Sequence, residues 1–215
     1  MVQNEGKPDS HMIHTTVHNV PLELETEVNL FSPAHPDTGT MALLQVAPVA
    51  PTDKVLDLGC GYGLVGIYAA KVAPPANVVL CDNDPSAVAM ARRDAAANGV
   101  PEVRAVVSDG LSAITDHDFT LVLCNPPYHV DFDVPKRFIE DAFTHMAVGG
   151  RMAMVIKRRA WYENKLRAVF GGVWVTEIDG YLVMVAEKRQ AAKPVRQPKG
   201  TTKKHQKRMA ASGKQ

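Results

Sequence analysis

Apolar positions change their period along the chain, and the changes mark the elements. Val20, Leu22 and Leu24 alternate with other residues, and Val28 and Leu30 resume the alternation, a two-residue period that predicts a short strand or hairpin. Past the loop Ser32-Pro33-Ala34-His35-Pro36, the run Asp37-Thr38-Gly39-Thr40 predicts the capped start of a helix through about Val49. From Lys54 the pattern becomes strand, helix, strand, helix. Lys54–Leu58, Val78–Cys81, Val103–Val107, Phe119–Cys124 and Met152–Ile156 are short apolar runs and read as strands. Helical segments separate most of them: one after the glycines through Ala70, the alanine-rich Pro85–Asn98, Phe138–Ala147 closed by Gly149-Gly150, and Trp161–Phe170. Val173–Ile178 and Tyr181–Ala186, joined by the tight turn Asp179-Gly180, complete the set. Alternation of this kind predicts an α/β fold: a seven-stranded, mostly parallel sheet with helices on both faces and an antiparallel last strand.

The two ends lack this patterning. Residues 1–18 show no sustained period and read as a flexible arm; His11, His14 and His18 within it suggest a metal site less well than a polar, unstructured segment. The globular domain is expected over 19–188 and a disordered basic tail over 189–215. Charge sharpens that division. Through Glu187 the chain holds 14 Lys and Arg against 23 Asp and Glu, or −9, whereas from Lys188 onward it holds 10 bases and no acid. An acidic body with a basic tail points to a polyanionic partner, nucleic acid or an acidic membrane surface. No apolar run approaches the ~20 residues of a membrane span, and no secretory leader opens the chain. Cys60, Cys81 and Cys124 are too scattered for a disulfide scaffold or a zinc site, so the expectation is a reduced, cytoplasmic protein with no metal.

Candidate chemistry gathers at the strand ends. Gly59-Cys60-Gly61-Tyr62-Gly63-Leu64-Val65-Gly66 follows the first strand of the alternating region and opens a helix. Gly61, Gly63 and Gly66 fit the spacing of a dinucleotide loop, with Asp82 at about the expected distance. Asp57 argues against that ligand, because a carboxylate before the loop repels a pyrophosphate and suits an ammonium or sulfonium group. Asp82, at a strand end in Cys81-Asp82-Asn83-Asp84-Pro85, can accept two ribose hydroxyls, while Asp84 before Pro85 fits a helix cap. Asp109 is either a turn residue before Gly110 or a partner for an adenine amino group. Asn125-Pro126-Pro127-Tyr128 carries the most specific chemistry. The Asn125 side chain and the Pro126 carbonyl can accept the two N–H bonds of an amine whose lone pair is delocalised, and direct that lone pair at an electrophile. The prolines lack N–H groups and stiffen the segment, and Tyr128 can stack on a planar substrate.

With these residues in view the chain resembles class I S-adenosylmethionine-dependent methyltransferases of the amino-methylating group, which have a Rossmann-like sheet. Phe31-Ser32 before Asp37-Thr38-Gly39-Thr40, and Phe170-Gly171 before Asp179-Gly180-Tyr181-Leu182-Val183, are similar to the small-domain family that contains 16S ribosomal RNA guanine-N2 methyltransferases. The resemblance runs from about Val20 to Lys188. It implies that Asp57, Gly59, Gly61 and Gly63 hold the methionine end of S-adenosylmethionine, that Asp82 with Asn83 beside it holds the ribose, and that Asp109 meets the adenine. Asn125, Pro126, Pro127 and Tyr128 would hold the acceptor amine, with Asn125 also at the cofactor. RNA methylation at guanine N2 is the function implied; adenine N6, a protein glutamine amide, and a non-catalytic RNA-binding module remain as alternatives. Tyr128 and the stretch 129–136 depart from the guanine enzymes. Lys157-Arg158-Arg159 reads equally as a phosphate contact or a solvated loop, Trp161 and Tyr162 could stack on RNA but read better as a helix start packed on the sheet, and the cysteines read as core.

Overall fold

A computed structural model describes residues 10–27, 36–127 and 132–190. Among these residues the strands are β1 (Ser10–Val17), β2 (Val20–Glu27), β3 (Val55–Leu58), β4 (Val78–Asp82), β5 (Arg104–Val107), β6 (Phe119–Cys124), β7 (Met146–Ile156), β8 (Trp174–Ile178) and β9 (Tyr181–Glu187). The helices are α1 (Thr38–Val46), α2 (Leu64–Val72), α3 (Pro85–Ala97), α4 (Asp133–His145) and α5 (Arg159–Phe170). Seven strands form one sheet in the order β5-β4-β3-β6-β7-β9-β8. β9 inserts antiparallel between β7 and β8, and the pairs from β5 to β7 are parallel. The order reverses beside β3: its chain runs outward to β4 and β5, then returns to β6 on the other side. In open α/β sheets ligands bind at such a switch point, beyond the C-terminal ends of the strands.

The central strands are apolar because both faces are covered. Val55, Leu121, Leu123 and Val155 pack on the side of α1, α2 and α3, whereas Leu56, Val122, Met152 and Met154 pack on the side of α4 and α5. Two close approaches require glycine. A Cβ on Gly66 in α2 would lie 2.4 Å from the Leu80 side chain of β4, and one on Gly150 would lie 2.7 Å from the Phe119 carbonyl. α2 thus seats directly on the sheet, with its N-terminus at the switch point.

Three expectations need correction. Residues 10–17 do not belong to a structureless arm, for they form β1 and pair with β2 in register from Ser10↔Glu27 to Val17↔Val20. Ile13 and Val17 are buried with Leu22 and Leu24, so the hairpin covers α2 and α3 with an apolar face. Its turn places His18 and Asn19 at positive φ (47° and 68°), and His18 Nδ1 lies 3.0 Å from the Tyr68 hydroxyl. The histidine packs against a helix, and among the described residues no three His, Cys, Asp or Glu gather to hold a metal.

The second correction concerns Gly149-Gly150, which lies inside β7 and does not separate a helix from it. α4 ends at His145, and the strand starts at Met146, with a register shift against β6 between Phe119 and Leu121. The third concerns the charge boundary. Lys188 is buried, with its Nζ donating to the Met146 carbonyl at 2.6 Å and its backbone N–H to the Gly150 carbonyl at 2.8 Å. Lys188 lies inside the expected domain 19–188, so only its grouping with the tail's charge changes, whereas Arg189, expected in the tail, lies over the Trp174 ring. Phe31, the loop from Ser32 to His35, Val28 and Leu30, Tyr128 and the segment after Gln190 lie outside the described residues. No helix among the described residues is long and apolar enough to cross a membrane.

Candidate functional site

Beyond the ends of β3, β4 and β6 opens a cavity of about 340 Å³. The expected residues Asp57, Gly59, Gly61, Asp82, Asn83, Asp109, Asn125, Pro126 and Pro127 all line it. Gly63 does not. It takes φ 95° at the N-cap of α2, a left-handed conformation that favours glycine, and turns the loop into the helix. Tyr128 lies outside the described residues.

The glycine loop is tied down from beneath. The N–H groups of Gly59 and Cys60 both donate to the Cys81 carbonyl, at 2.9 and 3.0 Å. Asp82 holds the loop from the side, its Oδ2 accepting from the Gly61 N–H at 2.9 Å and its Oδ1 from the Asp84 N–H at 3.0 Å. Each oxygen keeps acceptor capacity for a further donor. Asp84 is the helix cap expected of it, accepting from the Ser86 N–H at 2.8 Å.

Asp57 sits deeper than a position at the strand mouth suggests. It is buried within β3, and its Oδ2 accepts from the Gly66 N–H at 2.9 Å. Burial pushes its pKa up to about 7; the Gly66 hydrogen bond opposes the rise and the neighbouring Asp82 charge adds to it. Two carboxylates at one end of a largely apolar-walled cavity form a donor set that favours a cation. Leu58, Leu64, Val65, Val134 and Phe138 supply apolar wall. Asp109 reaches the same cavity, but its carboxylate is engaged by the Arg137 guanidinium from α4, with one hydrogen bond at 2.8 Å and a second, shorter one.

Asn125 is held where β6 ends. Its Nδ2 donates to Asp37 Oδ2 and to Thr40 Oγ1, each at 2.9 Å. The same Asp37 oxygen caps α1 by accepting from the Thr40 N–H at 2.9 Å. With its nitrogen committed to Asp37 and Thr40, the carboxamide presents oxygen as its accepting end. Tyr181 of β9 backs this corner, because a Cβ on Gly39 would lie 2.8 Å from its ring, and Lys157 Nζ lies 4.7 Å from the ring centre.

Asp37, Thr40, Tyr62, Val134, Arg137 and Phe138 are site residues that the sequence reading did not assign there. The Asp37-Thr38-Gly39-Thr40 run was visible as a cap, which is half its role. Tyr62 was visible only as a loop residue; burial pushes its hydroxyl up to about 12, with Asp37 and Asp94 adding to the rise. The three cysteines are buried as expected, although Cys60 and Cys81 also line the cavity.

Comparison with known proteins converges on one family. The sequence model described as the methyltransferase small domain matches residues 21–185. Ribosomal RNA large subunit methyltransferase G of Yersinia pestis (strain Pestoides F) is 29% identical over 176 residues, covering 79% of this chain and 45% of that protein. Among solved structures, the T. thermophilus 16S rRNA N2 G1207 methyltransferase RsmC, in complex with AdoMet and guanosine, aligns with a TM-score of 0.76 at 26% identity, covering 84% of this chain and 51% of that one. TrmN from Thermus thermophilus aligns with a TM-score of 0.58 at 28% identity, covering 69% of this chain and 48% of its own. The chain therefore spans about half the length of these relatives.

Proposed function

Because the chain belongs to the methyltransferase small-domain family, we propose that it transfers a methyl group from S-adenosylmethionine to an exocyclic amino group of RNA, with guanine N2 of ribosomal RNA as the acceptor. The observation that carries this reading is the held carboxamide of Asn125 on the wall of a cavity shared with the glycine loop, Asp57 and Asp82. The T. thermophilus relative, bound to AdoMet and guanosine, supports guanine as the acceptor and RNA as its carrier.

The donor set fits the cofactor. Asp57 would supply a buried negative charge for a cationic group, Asp82 would accept from ribose hydroxyls, and Asn83 and Asp109, the latter held by Arg137, would line the space for the adenine. Bound there, S-adenosylmethionine supplies an electrophilic methyl group on a sulfonium. The chain's own task is to bring the amine to it. An exocyclic amino group shares its lone pair with the ring and is a poor nucleophile. When the Asn125 oxygen and the Pro126 carbonyl each accept one of its N–H bonds, the nitrogen becomes more tetrahedral and its lone pair turns out of the ring plane. Pro126 and Pro127 offer no competing N–H donors. The amine's surplus proton leaves to solvent, so positioning supplies the catalysis and no side chain need act as a general base.

The test is transfer of a labelled methyl group by the purified chain to ribosomal RNA, followed by digestion to nucleosides and mass spectrometry. N2-methylguanosine is the expected product. N6-methyladenosine, or label confined to protein, overturns the guanine assignment, and binding of RNA and S-adenosylmethionine without transfer to any acceptor overturns the enzymatic one.

A further inference from the structure

Beside the cavity mouth, past the ends of β6 and β7, lies an aromatic cluster that catalysis does not use. Phe132, just before α4, stacks on Trp161 in the first turn of α5, with ring centres 4.5 Å apart and planes 23° from parallel. Tyr162 meets both rings edge-on, at 6.4 Å from Phe132 and 5.0 Å from Trp161. Tyr162 is buried and anchors the pair, whereas Phe132 remains 40% exposed. Two residues further along α4, Val134 lines the cavity. The aromatic cluster and the cavity thus share the start of α4.

Cations flank it. Lys157, Arg158 and Arg159 are exposed between β7 and α5. Glu163 takes the Arg159 guanidinium at 2.8 Å and that of Arg167 at 2.8 Å on the next turn, Lys157 lies over the Tyr181 ring, and the Arg158 charge is felt by the Tyr162 hydroxyl at the base of the aromatic cluster. The body otherwise carries nine more acids than bases through Glu187, so a cationic and aromatic corner beside its cavity is a departure from the surrounding surface. Flat apolar area beside positive charge fits a nucleobase followed by its phosphate: every base has a face that stacks, and the backbone supplies the anion.

We propose that Phe132, backed by Trp161, and the adjoining Arg158 form a docking platform for the nucleotide that flanks the acceptor in single-stranded or extruded RNA. The proposal rests on the RNA-methylating reading and extends it from one base to its neighbour. It explains how an acidic body can seat an RNA strand at its cavity without relying on the basic segment after Gln190. Occupation of the same corner by a protein is the competing outcome.

The test measures binding of a short single-stranded RNA to the full chain loaded with S-adenosylhomocysteine. The chain has two tryptophans, Trp161 and Trp174, so a Trp174→Phe background leaves Trp161 as the sole indole reporter. RNA should quench or shift its emission, and a DNA-free polyanion such as heparin should not. Phe132→Ala should weaken RNA binding by about tenfold, within the range of one lost base stack, with S-adenosylhomocysteine affinity retained as the check on folding. Arg158→Glu should weaken it by a similar factor and reduce the salt slope by about 1. Should Phe132→Ala fail to fold, Phe132→Leu keeps the bulk and removes the stacking face. Wild-type methylation of RNA with unchanged affinity in both variants and a silent Trp161 overturns the platform alone. No RNA binding by the wild type, with a ribosomal protein captured at this corner, overturns the platform and the RNA reading together.

Discussion

Asp37 and Asn125 are 88 positions apart in the chain and share a hydrogen bond of 2.9 Å, made by the oxygen that also caps α1. One carboxylate oxygen thereby fixes the start of a helix and the orientation of the carboxamide that faces the acceptor. The negative charge draws the Nδ2 protons toward itself, which raises electron density on the amide oxygen and makes it the better acceptor.

Asp37 is on this account a positioning residue. Asp37→Ala removes the cap and the hold together, and should lower kcat about 10- to 100-fold with a smaller rise in the KM for RNA. Asp37→Asn keeps an accepting oxygen for the cap but loses the charge. It should retain the wild-type melting temperature within a few degrees while kcat falls several-fold. Equal kcat in Asp37→Asn and the wild type would show that the charge does not act through Asn125.

Asp57 makes cofactor binding depend on pH. Its pKa stands near 7 in the ligand-free protein because burial disfavours the charge, and a bound cation reverses that balance. Below pH 7 the carboxyl must release its proton on binding. Affinity for S-adenosylmethionine should therefore rise by up to tenfold per pH unit below about 7 and level off above it. Calorimetry at pH 6.5 in buffers of different ionisation enthalpy should detect proton release in the wild type and little in Asp57→Asn. Equal release by both proteins would move the linkage to another group.

A second buried carboxylate acts on stability. Asp94 of α3 accepts from the Glu25 N–H at 2.9 Å with Oδ1, while Oδ2 is buried with no partner among the described residues. Asn98 grips the same strand, its Oδ1 accepting from the Glu23 N–H and its Nδ2 donating to the Glu23 carbonyl. α3 thus takes the place of a neighbouring strand along β2. Burial raises the Asp94 pKa to about 7, opposed by the Glu25 N–H and by Arg93 and reinforced by the Glu25 charge. A carboxyl with a raised folded pKa gives its full stabilisation below its unfolded value of 3.8 and has lost it once pH has risen through the folded value. The wild type should therefore lose stability relative to Asp94→Asn between about pH 4 and 7 and level off above, by on the order of 2 kcal/mol. Parallel denaturation curves of the two proteins across that range would remove Asp94 as the cause.

Most of the sheet was legible because β3, β4, β6 and the second half of β7 are buried on both faces and read as short apolar runs, the first three soon followed by glycine or proline and the last by Lys157-Arg158-Arg159. β1 was hidden for a specific reason. Its inward positions alternate as Ile13, Thr15 and Val17, but three histidines lie among and beside them and the turn His18-Asn19 contains no glycine. Gly149-Gly150 misled in the opposite direction: a glycine pair after a helical period signals a stop, whereas here Gly150 is small because the Phe119 carbonyl passes close by. At the site, the residues on strand ends could be placed at the cavity from position alone. Asp37 and Arg137 could not, because their roles depend on which distant strand end each meets.

The segment after Gln190 offers a test independent of the cavity. Residues 191–215 carry eight Lys and Arg and no acid. With about four phosphate contacts on single-stranded RNA, the full chain should show a slope of log K against log salt of roughly −3. Ending the chain at Gln190 should flatten that slope and weaken RNA binding, while S-adenosylhomocysteine affinity is unchanged. An identical slope in the shortened chain would assign the electrostatic contacts to the body.

The central claim is that Asn125 holds the acceptor amine, and a single-turnover experiment addresses it most directly. Wild type and Asn125→Ala, each saturated with S-adenosylmethionine and in excess over RNA, are compared for the rate of methyl transfer. Loss of one preorganised hydrogen-bonding partner of the reacting group predicts a fall of about 100- to 1000-fold, with cofactor affinity kept within a few-fold. A transfer rate in Asn125→Ala within a few-fold of the wild type would contradict the account.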